Sequence, residues 1–241
     1  MNSFQDKVVL ITGGYQGIGA AVAQKFLDQG ARVAVFDKKL PSVSAFDKEK
    51  TEIPGVLGGV GDITDTASVN QFLDQVERQL GKVNILINNV GLGLVKHFFE
   101  TTETDFDKVF GVNLKGPFFL TQRVAAKMGE GDSILFITSI HATNPSLDPT
   151  YDGSKAAINN LVMNLALELA AKSVRVNAIA PGHIDTKNEA PRVAEDVPLG
   201  KKAGTPDSIA DASVFLSDPD KASYITGAIL PVTAGLHIPK S

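Results

Sequence analysis

Cysteine is absent from the 241-residue chain. That removes disulfides, thiolate nucleophiles and cysteine-ligated metals, and it fits a reducing compartment. A cationic block is also missing: Lys plus Arg numbers 23 against 27 for Asp plus Glu, a formal net charge of −4. Clustered cations supply most of the affinity for nucleic acid, so no nucleic-acid partner is expected. Long apolar runs are lacking as well. The N-terminus, MNSFQDKVVLITGG, places Asp6 and Lys7 before a short apolar segment, unlike a signal sequence. The longest stretch without Lys, Arg, Asp or Glu, Ala222–Pro239, contains Gly227, Pro231 and Gly235 and does not read as a membrane span. A cytoplasmic protein without membrane contact is expected. What the chain does have is 43% hydrophobic residues, enough to bury a core and to exclude dominant disorder.

Short runs rich in Val, Ile and Leu alternate with helix-period segments. Val8–Ile11, Val33–Phe36, Val83–Ile87, Ile134–Ile137, Val174–Ile179 and Ala228–Val232 mostly lack polar alternation, as parallel strands covered on both faces do. Val56–Val60 is a weaker strand because Gly58 and Gly59 interrupt it. Between the runs, Ile18, Val22 and Phe26 share one spacing, and Val69, Phe72, Leu73, Val76 and Leu80 form one stripe. Thr205-Pro206 ahead of Ile209, Ala212 and Leu216 reads as an N-cap and an amphipathic helix. The alternation predicts an α/β fold, a single doubly wound domain over residues 1–241, built on a seven-stranded parallel sheet flanked by helices. His183–Gly204, with two prolines and mixed charges, reads as a surface excursion.

Thr12-Gly13-Gly14-Tyr15-Gln16-Gly17-Ile18-Gly19 follows the first strand and opens a helix. A dinucleotide pyrophosphate needs backbone amides, a turn free of Cβ obstruction and a helix N-terminus behind it. Gly13 and Gly17 can supply the turn, and Gly19 permits close packing of helix on sheet. Glycines here also make ordinary tight turns. Asp37 ends the second strand, 18 residues past Gly19, where a carboxylate accepts both ribose hydroxyls and repels a 2′-phosphate. NAD is therefore favoured over NADP, although Lys38 and Lys39 are cations able to hold the extra phosphate.

Tyr151-Asp152-Gly153-Ser154-Lys155 opens a helix that continues through Leu161, Leu165 and Leu169. The spacing puts phenol and ammonium on one face. A phenol of pKa about 10 is a poor base near neutrality, and an adjacent ammonium is expected to lower that value. Ser139 follows the strand Ile134–Ile137, at the edge where open α/β sheets bind ligands. Asn113 lies inside a helical pattern over Glu103–Lys127, where Asn is mildly unfavourable and reads as a solvated helix residue. Asn88-Asn89-Val90-Gly91 ends the strand Val83–Ile87 and either closes a turn or lines a cofactor cleft.

These residues together resemble the short-chain dehydrogenases/reductases in their form of about 250 residues, from Lys7 to Leu236. The resemblance implies a Rossmann-type fold and an NAD(P)-dependent oxidoreductase that interconverts a secondary alcohol and a ketone by direct hydride transfer, with no metal. It makes Asn113, Ser139, Tyr151 and Lys155 the catalytic residues. Tyr151 would move the hydroxyl proton, Lys155 would lower its pKa and bind the nicotinamide ribose, Ser139 would bond the reacting oxygen, and Asn113 would break its helix and hold a relay water. Cofactor contacts are implied at Gly13, Tyr15, Gln16, Gly17, Ile18, Asp37, Lys38, Asp62, Ile63, Asn89, Val90, Gly91, Tyr151 and Lys155. Pro181, Gly182, Ile184 and Thr186 resemble the segment that holds the nicotinamide carboxamide, and Tyr224-Ile225-Thr226-Gly227 matches a stretch before the last strand. The chain departs from the family in three places: at Val90, where Ala is usual, at Thr233-Ala234-Gly235, and in a Ser139–Tyr151 interval of 12 positions, one fewer than in many members.

Pocket residues are expected from three segments: Leu92, Leu94, His97 and Phe98; His141, Asn144 and Asp148; and His183, Lys187, Asn188, Glu189 and Arg192. This mixture suits a small hydroxylated or cyclic substrate such as a sugar or polyol. For His141 and His183 the favoured reading is a solvated loop histidine. A 3-ketoacyl carrier-protein reductase and a non-catalytic dinucleotide-binding scaffold are the alternatives, and the Tyr–Lys spacing counts against an enoyl reductase. A homo-oligomer, tetramer or dimer, is also implied. Phe118, Phe119, Leu161, Leu165 and Leu169 either pair helices across a two-fold axis or pack inside the monomer.

Overall fold

In a parallel strand, successive side chains leave opposite faces of the sheet, so a strand covered on both sides must be apolar at every position. The computed structural model, which describes residues 3–39, 55–186 and 193–239, shows this pattern. Val8 and Leu10 of β1 (Val8–Thr12) enter one core while Val9 and Ile11 enter the other. The same division holds for β2 (Arg32–Asp37), β4 (Ile85–Asn88) and β5 (Ser133–Ile137), where Ala34, Leu86, Ile134 and Phe136 oppose Val33, Ile85, Ile87 and Leu135. With β3 (Val56–Val60), β6 (Arg175–Pro181) and β7 (Ile229–Val232), the strands form one parallel sheet in the order β3-β2-β1-β4-β5-β6-β7.

Helices close both faces. α1 (Gly17–Asp28) and α6 (Pro206–Ser217) cover one with Val22, Phe26, Ile209 and Leu216. α2 (Thr66–Gln79), α4 (Gly116–Ala125) and α5 (Pro149–Leu169) cover the other with Phe72, Val76, Leu120, Ile158 and Val162. The chain reverses direction across the sheet between β1 and β4, and ligand clefts form at such a switch point, outside the carboxyl ends of the strands.

The weak strand Val56–Val60 is present, and its glycines have a packing reason. A Cβ on Gly58 would fall 2.0 Å from the Tyr15 hydroxyl, and one on Gly59 would fall 2.3 Å from the Phe72 ring. The Tyr15 hydroxyl and the Phe72 ring thus occupy the space a side chain would fill. The helical pattern Glu103–Lys127 is broken: α3 (Glu103–Phe110) gives way to a π-turn over Gly111–Lys115 before α4 begins. Thr205 stands at the N-cap of α6 in extended backbone, but its hydroxyl faces Ser208 Oγ at 3.4 Å and caps no backbone N–H. In the excursion His183–Gly204, isolated bridges join Ile184 to Gly204 and Val193 to Lys202. Lys187, Asn188, Glu189 and Arg192 lie outside the described residues. Among the described residues no helix is long and apolar enough to cross a membrane.

Candidate active site

The glycine turn is held from below by the end of β4. Thr12 Oγ1 accepts the N–H groups of Asn89 and Val90, each at 3.1 Å. Asn89 Nδ2 returns two bonds, to Thr12 O at 3.0 Å and to Gly13 O at 2.9 Å. Gly13 and Gly17 adopt φ of 66° and 53°, the left-handed region where glycine carries no steric cost. Gly19 is required for a reason other than helix–sheet packing: its Cβ would meet the Gly13 carbonyl oxygen at 2.2 Å and Asn89 Nδ2 at 2.6 Å. The first turn of α1 has no side-chain cap from Gln16 and no acidic residue, so its N–H groups favour an anion.

At the far end of this cleft, Asp37 accepts Tyr15 N–H at 3.3 Å and Lys38 N–H at 2.7 Å. A carboxylate offers about four acceptor positions, so lone pairs remain for ribose hydroxyls. Lys38 Nζ turns away from Asp37 and pairs with Asp62 at 2.7 Å. That bond, followed by bonds from Thr64, holds the Asp62 carboxyl down at about 2. Gly13, Gln16, Gly17, Ile18, Asp37, Lys38, Asp62, Asn89, Val90, Gly91 and Thr186 line one open cavity of about 2230 Å³, which continues along α4 and α5. Two expected contacts point elsewhere. The Tyr15 ring is buried on the α1 side of the sheet, and Ile63 is buried in the opposite core. Asn88 likewise turns inward and donates to Thr121 Oγ1 at 2.9 Å.

The predicted tyrosine–lysine pair lies where β4 and β5 finish and α5 begins. A second cavity of about 570 Å³ adjoins the first and is lined by Ser139, His141, Asp148, Tyr151, Lys155, Pro181, Gly182 and Ile184, among others. Lys155 is 3% exposed, and its Nζ donates to Ile137 O at 2.9 Å. A Cβ on Gly91 would come within 3.2 Å of that nitrogen, so glycine there keeps open the space beside the ammonium. Burial pulls the Lys155 pKa down to about 8. Burial also raises the Tyr151 phenol above its ordinary value, Asp152 and Asp148 add to the effect, and a hydrogen bond with Ser139 opposes it. The expected lowering by Lys155 is therefore not found. The ammonium sits over the ring, 5.7 Å from its centre, and is directed to the Ile137 carbonyl.

Asn113 is fully buried in the π-turn. One extra residue per turn swings its side chain into the interior. Its Oδ1 accepts Leu92 N–H at 2.7 Å, and its Nδ2 donates to Leu92 O at 2.9 Å and to Ser154 Oγ at 2.8 Å. Ser154 in turn donates to Tyr151 O at 2.7 Å. Asn113 thus ties the loop after β4 to the helix that carries the tyrosine. Thr12 and Ser154 were visible as hydroxyls inside the two motifs, but their partners are distant in sequence. Of the expected pocket residues, His141 and Asp148 line the smaller cavity and Leu92 the larger. His97 begins the exposed turn Phe98–Glu100. His183 Nδ1 lies 3.8 Å from Asp196.

The residues present fit a dinucleotide: a cradle of backbone amides, a carboxylate at the strand edge beyond it, and a buried cation with unspent N–H donors at the other end. Among the described residues no cluster of three His, Cys, Asp or Glu is placed to hold a metal ion. Replacing Asn113 with Ala removes the partners of Leu92 N–H and Leu92 O and leaves the Ser154 hydroxyl only its bond to Tyr151 O. Thermal unfolding of Asn113→Ala should show a loss of about 2–3 kcal/mol. An unchanged melting temperature would contradict the tie.

The family model described as enoyl-(acyl carrier protein) reductase matches residues 13–237. A 3alpha-hydroxysteroid dehydrogenase of Mediterraneibacter gnavus is 36% identical, over 95% of this chain and 96% of its own. A 3-oxoacyl-[acyl-carrier-protein] reductase of Thermotoga maritima is 33% identical, over 97% of this chain and 99% of its own. The crystal structure of a short-chain dehydrogenase/reductase, glucose/ribitol dehydrogenase, from Brucella melitensis superposes with a TM-score of 0.88 at 26% identity, covering 98% of this chain and 99% of that one. The chain belongs to the short-chain dehydrogenase/reductase family, NAD(P)-binding oxidoreductases that act on CH–OH groups.

Proposed function

We propose that the protein interconverts a small hydroxylated or cyclic secondary alcohol and its ketone, and that NAD is its preferred cofactor. The observation that carries the reading is the 570 Å³ cavity in which Ser139, Tyr151 and Lys155 meet. Bound nicotinamide supplies or accepts the hydride. The chain's own residues handle the oxygen and the proton. The Ser139 hydroxyl bonds the reacting oxygen, and the Tyr151 hydroxyl gives its proton to that oxygen in reduction and takes it back in oxidation. Lys155 holds a positive charge beside the phenolate that remains. Asn113 and Ser154 keep the phenol in place.

The carboxylate of Asp37 at the ribose end supports NAD. Lys38 is engaged by Asp62 and would have to leave it to meet a 2′-phosphate. A 3-ketoacyl thioester is the second reading, supported by the 33% identical 3-oxoacyl reductase.

Polyols, aldoses, cyclic alcohols, a hydroxysteroid and acetoacetyl-coenzyme A, each assayed with NAD and with NADP, separate these readings. Turnover of a small cyclic alcohol or polyol with NAD is expected; turnover restricted to the thioester, or to NADP, contradicts the corresponding part. Tyr151→Phe should lose about 10²–10⁴-fold in kcat while retaining the cofactor. Alcohol oxidation should quicken with rising pH as the Tyr151 phenol ionises, on the alkaline side of the ordinary phenol range because burial raises it; a rise complete by neutral pH contradicts this.

We also propose that α4 and α5 pair with a second copy of the chain. Phe118 and Phe119 are exposed, and Leu161 and Leu165 are half-buried beside them, whereas Leu169 is consumed by the core. Light scattering on purified protein should give a dimer or tetramer; a monomeric mass contradicts the pairing.

A further inference from the structure

The best-connected carboxylate near the phenol belongs to neither motif. Asp148 stands at the N-cap of α5 and is 6% exposed. Its Oδ1 accepts the Thr150 hydroxyl at 2.9 Å and Tyr151 N–H at 3.2 Å, capping the helix that carries the tyrosine. Its Oδ2 accepts Val95 N–H at 2.8 Å, and the neighbouring Leu94 N–H helps hold the carboxyl below its ordinary value. One buried group therefore joins the loop after β4 to the start of α5.

The backbone is strained on both sides of this joint. Val95 has φ of 53° and Leu147 has φ of 68°. A β-branched residue is an outlier in that region, and such outliers persist only where surrounding structure imposes them. Packing does not impose these two, since Val95 is 88% exposed and Leu147 is 71% exposed. The hydrogen bonds of Asp148 impose the conformation at Val95. Next to Leu147, the carboxylate of Asp152 anchors Ser146 through its N–H and its hydroxyl, each at 2.7 Å. Val95 and Ser146 both line the smaller cavity with Tyr151.

We propose that Asp148 is a positioning residue that clamps residues 94 and 95 to the catalytic helix, and so sets Val95 as an apolar rim against the hydrocarbon face of a cyclic substrate. The proposal rests on the alcohol–ketone reading and narrows its substrate class. Asp148 and Asp152 both disfavour the phenolate of Tyr151, and Lys155 and His141 are the other titratable groups around the cavity.

Asp148→Asn tests the clamp with little change of shape. The amide oxygen still caps Thr150 and Tyr151, since Asn is a good N-cap, but the NH₂ now faces the N–H groups of Val95 and Leu94. Hydrogen-exchange mass spectrometry should show residues 92–97 exchanging about tenfold faster while residues 150–158 keep their protection. With cyclohexanol as probe, KM should rise about tenfold with kcat nearly unchanged. The pH limb of oxidation should move to lower pH as a negative charge is removed from beside the phenol. Val95→Gly keeps the backbone donor and removes both the strain and the rim. Its melting temperature should not fall and its loop should stay protected, yet KM for cyclohexanol should rise. Unchanged exchange over 92–97 in Asp148→Asn overturns the clamp, and so does loss of protection confined to 150–158. An unchanged KM in both variants overturns the rim. If the wild-type chain turns over no alcohol at all, the proposed reaction fails, and the exchange data still decide the clamp.

Discussion

The structure depends on a lysine ammonium held out of water. Lys155 lies under the sheet edge at 3% exposure, with Ile137 O as its partner. Burying a charge is costly, and the cost is offset only where hydrogen bonds replace hydration. The terminal carbonyl of β5 supplies one. The space kept open by Gly91 leaves the remaining N–H donors free to face the cleft. α5 is fixed to the same strand from its backbone, where Thr138 Oγ1 donates to Lys155 O at 3.2 Å. Desolvation then acts in opposite directions on neighbours. It lowers the lysine and raises the tyrosine, and so separates two groups whose ordinary values, about 10.4 and about 10, nearly coincide.

Around that charge, the topology gathers what sequence keeps apart. β1, β4 and β5 end side by side, so Thr12, Asn89 and Ser139 come to one rim. The bonds among them are reciprocal: the β1 end accepts N–H groups from the β4 end, and the β4 end donates an amide back to the glycine turn. A second layer, made by Asn113 and Ser154, holds the loop after β4 against α5. The cleft is built from strand ends and helix starts, which locates its groups more firmly than a loop alone.

Much of this was legible beforehand because the signals are local. Strand runs, the glycine turn, and the Tyr151–Lys155 spacing each depend on a few consecutive residues, and the structure has all seven strands in those places. What was not legible depended on distant partners. Gly58 and Gly59 weakened a strand on the page, yet they make room for Tyr15 and Phe72. Tyr15 and Ile63 stand beside cleft residues in sequence, but their side chains enter the two cores. The extra residue in the turn over Gly111–Lys115 leaves no mark in a 3.6-residue pattern, because Gly111 and Gly116 fit an unbroken helix equally well. The sign of the Tyr151 shift also required coordinates: spacing shows that the ammonium is near, whereas its direction and burial decide what it does.

The cleft is organised around the desolvated ammonium, and lysine-selective ¹³C NMR measures it directly. A pH titration of the Cε signals, with Lys155→Met to identify the resonance, should show Lys155 titrating near pH 8, far from the other lysines. A midpoint at the ordinary value near 10.5 would mean that the ammonium is solvated and would contradict the account.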